Sequence, residues 1–127
     1  MVSIGDYVLA GGELDGERLL GSRTVAYMTR NHLPGGVDLA TYGRPLYSES
    51  PMHGTGFGLG FSVDLDPAAA GRPGSPGTYG WGGMAGTRFW VDPVEDVTAL
   101  FFTQVMSPTP LPVREGIRQV VYQALVD

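Results

Sequence analysis

The chain has 127 residues and a mass of 13.5 kDa, enough for one domain with a single modest core. Hydrophobic residues make up 43% and charged residues 17%, which excludes a disordered tail, and there is neither a cysteine nor a lysine. Those two absences exclude disulfides, thiolate catalysis, cysteine zinc sites, a Walker A lysine and a Ser-x-x-Lys pair; a net charge of −5 without a basic stripe argues against a nucleic-acid partner.

In chain order, Tyr7-Val8-Leu9-Ala10 before Gly11-Gly12 reads as the last turn of a helix closed by a glycine cap. Asp15-Gly16 is a turn flanked by apolar residues. Gly21 or Ser22 caps a short helix running to about Arg30, with Val25 and Met28 on its buried face and Pro34-Gly35-Gly36 preventing continuation. Val37 to Thr55 reads as an irregular connection. Phe57, Leu59, Phe61 and Val63 alternate with Gly58, Gly60 and Ser62, which predicts one strand with an apolar face and a nearly bare one. Asp64 to Thr78 reads as a solvent-facing loop.

Gly80-Trp81-Gly82-Gly83 leads into Thr87-Arg88-Phe89-Trp90-Val91, then a turn from Asp92-Pro93 through Asp96. Val97 to Gln104 is apolar on both parities, the pattern of a central strand, and pairs with the preceding run as an antiparallel hairpin. Pro108, Pro110 and Pro112 end the sheet, and Pro112 suits the first turn of a helix. Val113, Ile117, Val120, Val121 and Ala124 recur at helical spacing and predict an amphipathic C-terminal helix. Three strands with a helix able to cover one face make an α+β arrangement whose sheet edges are open.

Most motif-like strings have ordinary explanations. Gly80-x-Gly82-x-x-Ala85 spells a dinucleotide fingerprint, but strand formers rather than a helix follow it. His32 and His53 lack metal-ligand spacing and read as loop residues making local hydrogen bonds. No Gly-x-Ser-x-Gly elbow singles out a nucleophile for either of them. Asp64-x-Asp66 runs into Pro67 rather than a glycine, so it is a strand-end turn and not a calcium loop. Neither metal nor cofactor is expected. The longest apolar run, around Ala99 to Phe102, is too short to span a bilayer, and Met1 to Asp6 lacks the features of a signal peptide. A cytoplasmic location is the expectation. Trp81-Gly82-Gly83 is the informative segment. Two glycines beside a strand admit a close backbone or ligand, with N–H groups able to face an oxyanion, or they form a glycine bulge before the hairpin.

The string from Gly80 to Pro93 resembles the C-terminal part of serine β-lactamase-related proteins, closest to the class C-like group with family VIII carboxylesterases. Gly11-Gly12-Glu13-Leu14-Asp15-Gly16, Met28 to Pro34 and Gly56 to Phe61 agree in the same order, so the likeness runs from about Asp6 to Leu125. It implies that residues 1–127 form a single partial domain, with an antiparallel sheet, flanking helices and a C-terminal helix. In the family a Ser-x-x-Lys serine attacks an ester or lactam carbonyl, a tyrosine assists, and a third motif lies on a cleft strand. Trp81-Gly82-Gly83 matches that third motif. The resemblance makes Trp81 a wall for the acyl or leaving group and the Met84 N–H an oxyanion donor. Ser-x-x-Lys is absent, and no tyrosine has an Asn two residues later, so no catalytic residue is expected within the chain. The function implied is therefore a C-terminal segment of a serine hydrolase, inactive alone, whose completed domain takes a small ester or lactam. The alternative is a noncatalytic module that assembles through its sheet with a second copy or an N-terminal partner chain, with no membrane partner. Trp81 in the place of the lysine favours esters. Arg88 is a candidate replacement cation, though its parity with Trp90 suits a surface or cation–π contact.

Overall fold

A computed structural model describes residues 4–43, 52–83, 85–105 and 113–126. Met84 and the Pro108–Pro112 segment, both used above, lie outside the described residues. Helix α1 covers Ile4–Leu9 and ends as its glycines require. Gly11 has φ +69° and its N–H bonds the Val8 carbonyl at 3.1 Å, while the Gly12 N–H reaches back to Tyr7 O at 2.6 Å. This pair of bonds closes a Schellman cap. Strands β1 (Glu13–Leu14) and β2 (Glu17–Arg18) flank Asp15 and Gly16, both at positive φ, in a two-residue hairpin. Helix α2 (Ser22–Met28) takes Gly21 as its N-cap, buries Val25 and half-buries Met28. The connection expected to be irregular contains helix α3 (Leu39–Tyr42), whose N-cap Asp38 accepts the Thr41 N–H at 2.8 Å.

The main sheet has five antiparallel strands in sequential order: β3 (Thr55–Phe57), β4 (Ser62–Asp64), β5 (Tyr79–Gly82), β6 (Arg88–Asp92) and β7 (Val97–Phe101). The hairpin of β6 and β7 forms as expected, with Trp90 opposite Ala99. Two expectations fail here. The single strand over residues 57–63 is two strands and a turn, and Tyr79–Gly82 forms a further strand, so the sheet has five strands rather than three. The alternating glycines belong to that turn: Gly60 has φ +99°, the Gly58 N–H bonds Phe61 O at 2.8 Å, and a Cβ on Gly58 would run into the Met28 carbonyl. Also, β7 is a sheet edge among the described residues, not a central strand. Its doubly apolar character leaves Leu100 48% and Phe102 78% exposed. The opposite edge is partly covered, since the His32 N–H bonds Phe57 O at 2.7 Å and Asn31 Oδ1 accepts the Phe57 N–H at 3.1 Å.

The ladder register sorts the two sheet faces. Val63, Tyr79 and Val91 are successive cross-strand partners and form the core with Val8 of α1 and Val25 of α2. Asp64, Trp90 and Asp92 point to the other face, against helix α4 (Val113–Gln123). The C-terminal helix therefore exists, but it buries only part of the stripe expected of it: Ile117 and Val121 are half-buried, while Val113 and Val120 are exposed. Arg118 is 2% exposed whereas Val120 is 64% exposed, because the sheet offers this helix a carboxylate and an indole rather than an apolar groove. The loop after β4 is likewise less solvent-facing than its composition suggests: Ser75 and Thr78 are buried.

Candidate functional site

Strand β5 carries the Trp-Gly-Gly segment because its neighbours fit a chain with almost no side chains. A Cβ on Gly80 would meet the Phe89 carbonyl and come within 2.8 Å of Trp90 Cα, so only glycine allows β6 to lie this close. The Ser62 hydroxyl donates to the Gly80 carbonyl at 2.7 Å and fixes β5 from its other side. Past the strand, the Gly83 N–H donates to Thr87 O at 2.9 Å and the Gly86 N–H to Gly83 O at 3.0 Å, forming the turn into β6. The Gly83 N–H is thus engaged within the turn.

Trp81, Phe89 and Leu100 are cross-strand partners in one row, on the sheet face that also carries the core. Trp81 is 44% exposed and its ring meets Phe57 edge-on at 5.0 Å. Beside this row lies an open cavity of about 320 Å³, lined by Trp81, Gly82, Gly83, Phe89, Leu100 and Phe102 among others. Its walls are largely apolar, and Arg88, Thr87 and Thr98 supply the polar margin. The structure thus brings Trp81, Gly82 and Gly83 together at one cavity. Arg88 borders that cavity, while the cation over Trp90 is Arg118, its guanidinium carbon 5.8 Å from the ring centroid.

The histidines lie in local contacts. His32 Nε2 donates to the Tyr27 carbonyl at 2.7 Å with the two rings edge-to-face. His53 is largely exposed, with Nδ1 4.0 Å from the Asp38 carboxylate. Among the described residues no group of three potential ligands could hold a metal. The Thr41 side chain, and then the Thr41 and Gly54 N–H groups, hold the Asp38 carboxyl below its usual range. Gly80-x-Gly82-x-x-Ala85 enters a strand, as its sequence suggests, and Asp66 caps the turn after β4 by accepting the Ala68 and Ala69 N–H groups.

The sequence reading missed a buried charge cluster behind β5. Asp64, 3% exposed, accepts from Arg72 and, at 2.8 Å, from Arg118 Nη2. Arg118 Nε donates to Pro73 O at 2.7 Å, and Arg72 also reaches Thr55 Oγ1 at 2.8 Å. Close by, Tyr122 donates to Asp92 at 2.6 Å. Burial alone would raise the Asp92 carboxyl, but hydrogen bonds from Tyr122, Glu95, Ser75 and Thr78 together hold it below its usual range. Burial, then the adjoining Asp92, pushes the Tyr122 hydroxyl up to about 12.

The sequence model of the family described as Beta-lactamase matches residues 3–123. The chain belongs to the β-lactamase family. Two curated relatives from Mycobacterium tuberculosis are 34% identical to this β-lactamase-family chain over 101 residues. They are "Uncharacterized protein MT1414" (strain CDC 1551 / Oshkosh) and "Protein Rv1367c" (strain ATCC 25618 / H37Rv). The match covers 76% of this chain and 24% of each relative, so the chain spans about a quarter of their length. Among solved structures, EstCE1, described as a hydrolase with promiscuous acyltransferase activity, superposes with a TM-score of 0.64 at 27% identity. That superposition covers 91% of this chain and 27% of EstCE1. Simvastatin synthase (LovD) from Aspergillus terreus superposes with a TM-score of 0.74 at 20% identity, over 98% of this chain and 33% of that one, a likeness of fold. The partial domain of mixed helices and antiparallel sheet accords with both. No helix among the described residues is long and apolar enough to cross a membrane.

Proposed function

We propose that this segment supplies the cleft strand of a serine hydrolase acting on a small ester or lactam, with nucleophile and lysine base contributed by polypeptide other than these 127 residues. The observation that carries the reading is the juxtaposition of Trp81-Gly82-Gly83 with an apolar cavity of about 320 Å³. In this reading Trp81 and Phe89 pack against the acyl or leaving group, and the Met84 N–H serves as an oxyanion donor. Hydrolysis needs an attacking hydroxyl and a base that removes its proton. The chain contains no lysine to complete Ser-x-x-Lys, so alone it turns over no ester by that route. The hydrolase EstCE1 supports the reading by its fold and by its 27% identity. Trp81 at the motif's lysine position favours uncharged esters over lactams that carry a carboxylate.

The test is incubation of the purified chain with a fluorophosphonate, followed by intact-mass spectrometry. An unmodified mass is expected. One adduct on a single serine, with p-nitrophenyl butyrate turnover lost on replacing that serine, overturns the assignment of the nucleophile to other polypeptide.

A second reading, a noncatalytic module that associates through its sheet, is favoured by the exposed Leu100 and Phe102 at the β7 edge. It predicts a dimer or larger species by light scattering that Phe102→Asp shifts toward monomer. A monomeric parent chain at high concentration counts against it.

A further inference from the structure

Behind β5, on the face opposite the apolar cavity, lies a small polar site that the hydrolase reading does not use. Trp90 is 2% exposed, and its indole Nε1–H has no hydrogen-bond partner among the described residues. A buried N–H of this kind destabilises the fold if it stays unbonded. Trp90 borders a small cavity of about 10 Å³, which Ser62, Asp64, Arg72, Thr78 and Arg118 also line. That volume matches a single water molecule.

We propose that this cavity is a built site for one internal water, which accepts the Trp90 indole proton and donates to acceptors in the opposite wall. The chemistry of the wall selects water over an ion. Three arginines, Arg72, Arg88 and Arg118, border the cavity and repel a cation. A halide has no proton to give the Asp64 carboxylate or the Ser62 hydroxyl oxygen on the same wall, so it leaves these acceptors unfilled. The hydroxyl protons of Ser62 and Thr78 are already given to Gly80 O at 2.7 Å and Ser75 O at 2.8 Å, so Ser62 Oγ presents lone pairs. Asp64 takes three guanidinium contacts, from Arg72 Nε, Arg72 Nη2 and Arg118 Nη2, and has capacity for one more donor. Only a ligand that both accepts and donates completes this set. The water joins Trp90 of β6 to the Asp64 hub on β4, and through Arg118 to α4, directly behind the Gly80 backbone that carries Trp81.

The chain contains two tryptophans, which makes the test direct. In ¹⁵N-labelled Trp81→Phe protein the single indole N–H signal belongs to Trp90. The expected result is a signal that exchanges slowly with solvent deuterium, shows a nuclear Overhauser effect to the water resonance, and keeps its shift when chloride replaces gluconate. A protected signal with no effect to water overturns the proposal, and so does a shift that titrates with chloride, which identifies a halide. If Trp81→Phe fails to fold, Trp90→Phe in the otherwise unaltered chain identifies the same signal by its loss.

Discussion

Replacing Asp64 with alanine removes the shared anion from two guanidinium groups at once. Arg72 keeps a route to solvent, its side chain being 10% exposed, and can swing outward with its charge hydrated. Arg118 cannot: its side chain is 2% exposed, and the indole of Trp90 and the ring of Tyr122 pack over it at 5.8 and 5.6 Å. The loss is therefore dominated by one stranded buried cation, for which removal of a partner costs about 3–5 kcal/mol. A domain of this length has a total stability of roughly 6–19 kcal/mol at 0.05–0.15 kcal/mol per residue, so the variant is severely weakened. At roughly 3–5 °C per kcal/mol for this size, Tm should fall by about 10–25 °C. Urea unfolding followed by circular dichroism and by tryptophan fluorescence measures the change. Arg72→Ala, which leaves Asp64 paired with Arg118, should cost about 1–2 kcal/mol. A loss below about 1 kcal/mol for Asp64→Ala, or a larger one for Arg72→Ala, refutes the reasoning that burial of Arg118 sets the cost.

Gly80→Ala should destabilise by about 3 kcal/mol or more, because the new methyl group meets backbone on β6 that has nowhere to move; an unchanged urea midpoint would contradict this. Tyr122 titrates near 12 in the folded chain against an ordinary value near 10, so the folded state holds this proton more tightly. The stability it contributes is full below about pH 10 and is lost as pH rises toward 12. Tyr122→Phe should flatten that decline in urea midpoints taken from pH 9 to 12. Asp92 has the opposite sign: its depressed carboxyl stabilises the fold above about pH 4, and that share is lost as the pH falls further. Asp92→Asn should make the acid limb shallower while lowering stability at pH 7.

The local punctuation of this chain was legible in its sequence. Gly11-Gly12, Asp15-Gly16 and the Asp92–Asp96 turn each form where the residues demand, since a positive φ or a fixed cap leaves few alternatives. The hairpin of β6 and β7 and the strand character of residues 88–91 were equally readable from their β-branched and aromatic content. What failed depends on tertiary neighbours. The glycines between Phe57 and Val63 fit a bare strand face as well as a turn, and the Met28 carbonyl pressed against Gly58 favours the turn. Strand β7 reads as central because both faces are apolar, a pattern that describes what could cover it and not what does. At the site, Trp81 and the glycines were visible, but their cavity depends on Leu100 and Phe102, seventeen or more residues further along. The Asp64 cluster gave no signal, because a carboxylate and two arginines separated by 8 and 54 residues look like solvated charges until the fold brings them together.

That separation has a kinetic consequence. The sheet grows from neighbour to neighbour along the chain, so β3 through β7 can assemble by closing short loops in succession. Helix α4 gains its Asp64 anchor only by closing a 54-residue span onto a sheet that already exists, since its buried contacts are to β4, β6 and the loop at Pro73. Late docking of the helix predicts that Asp64→Ala quickens unfolding in stopped-flow urea jumps while leaving the refolding rate nearly unchanged, and an equal slowing of refolding would refute it.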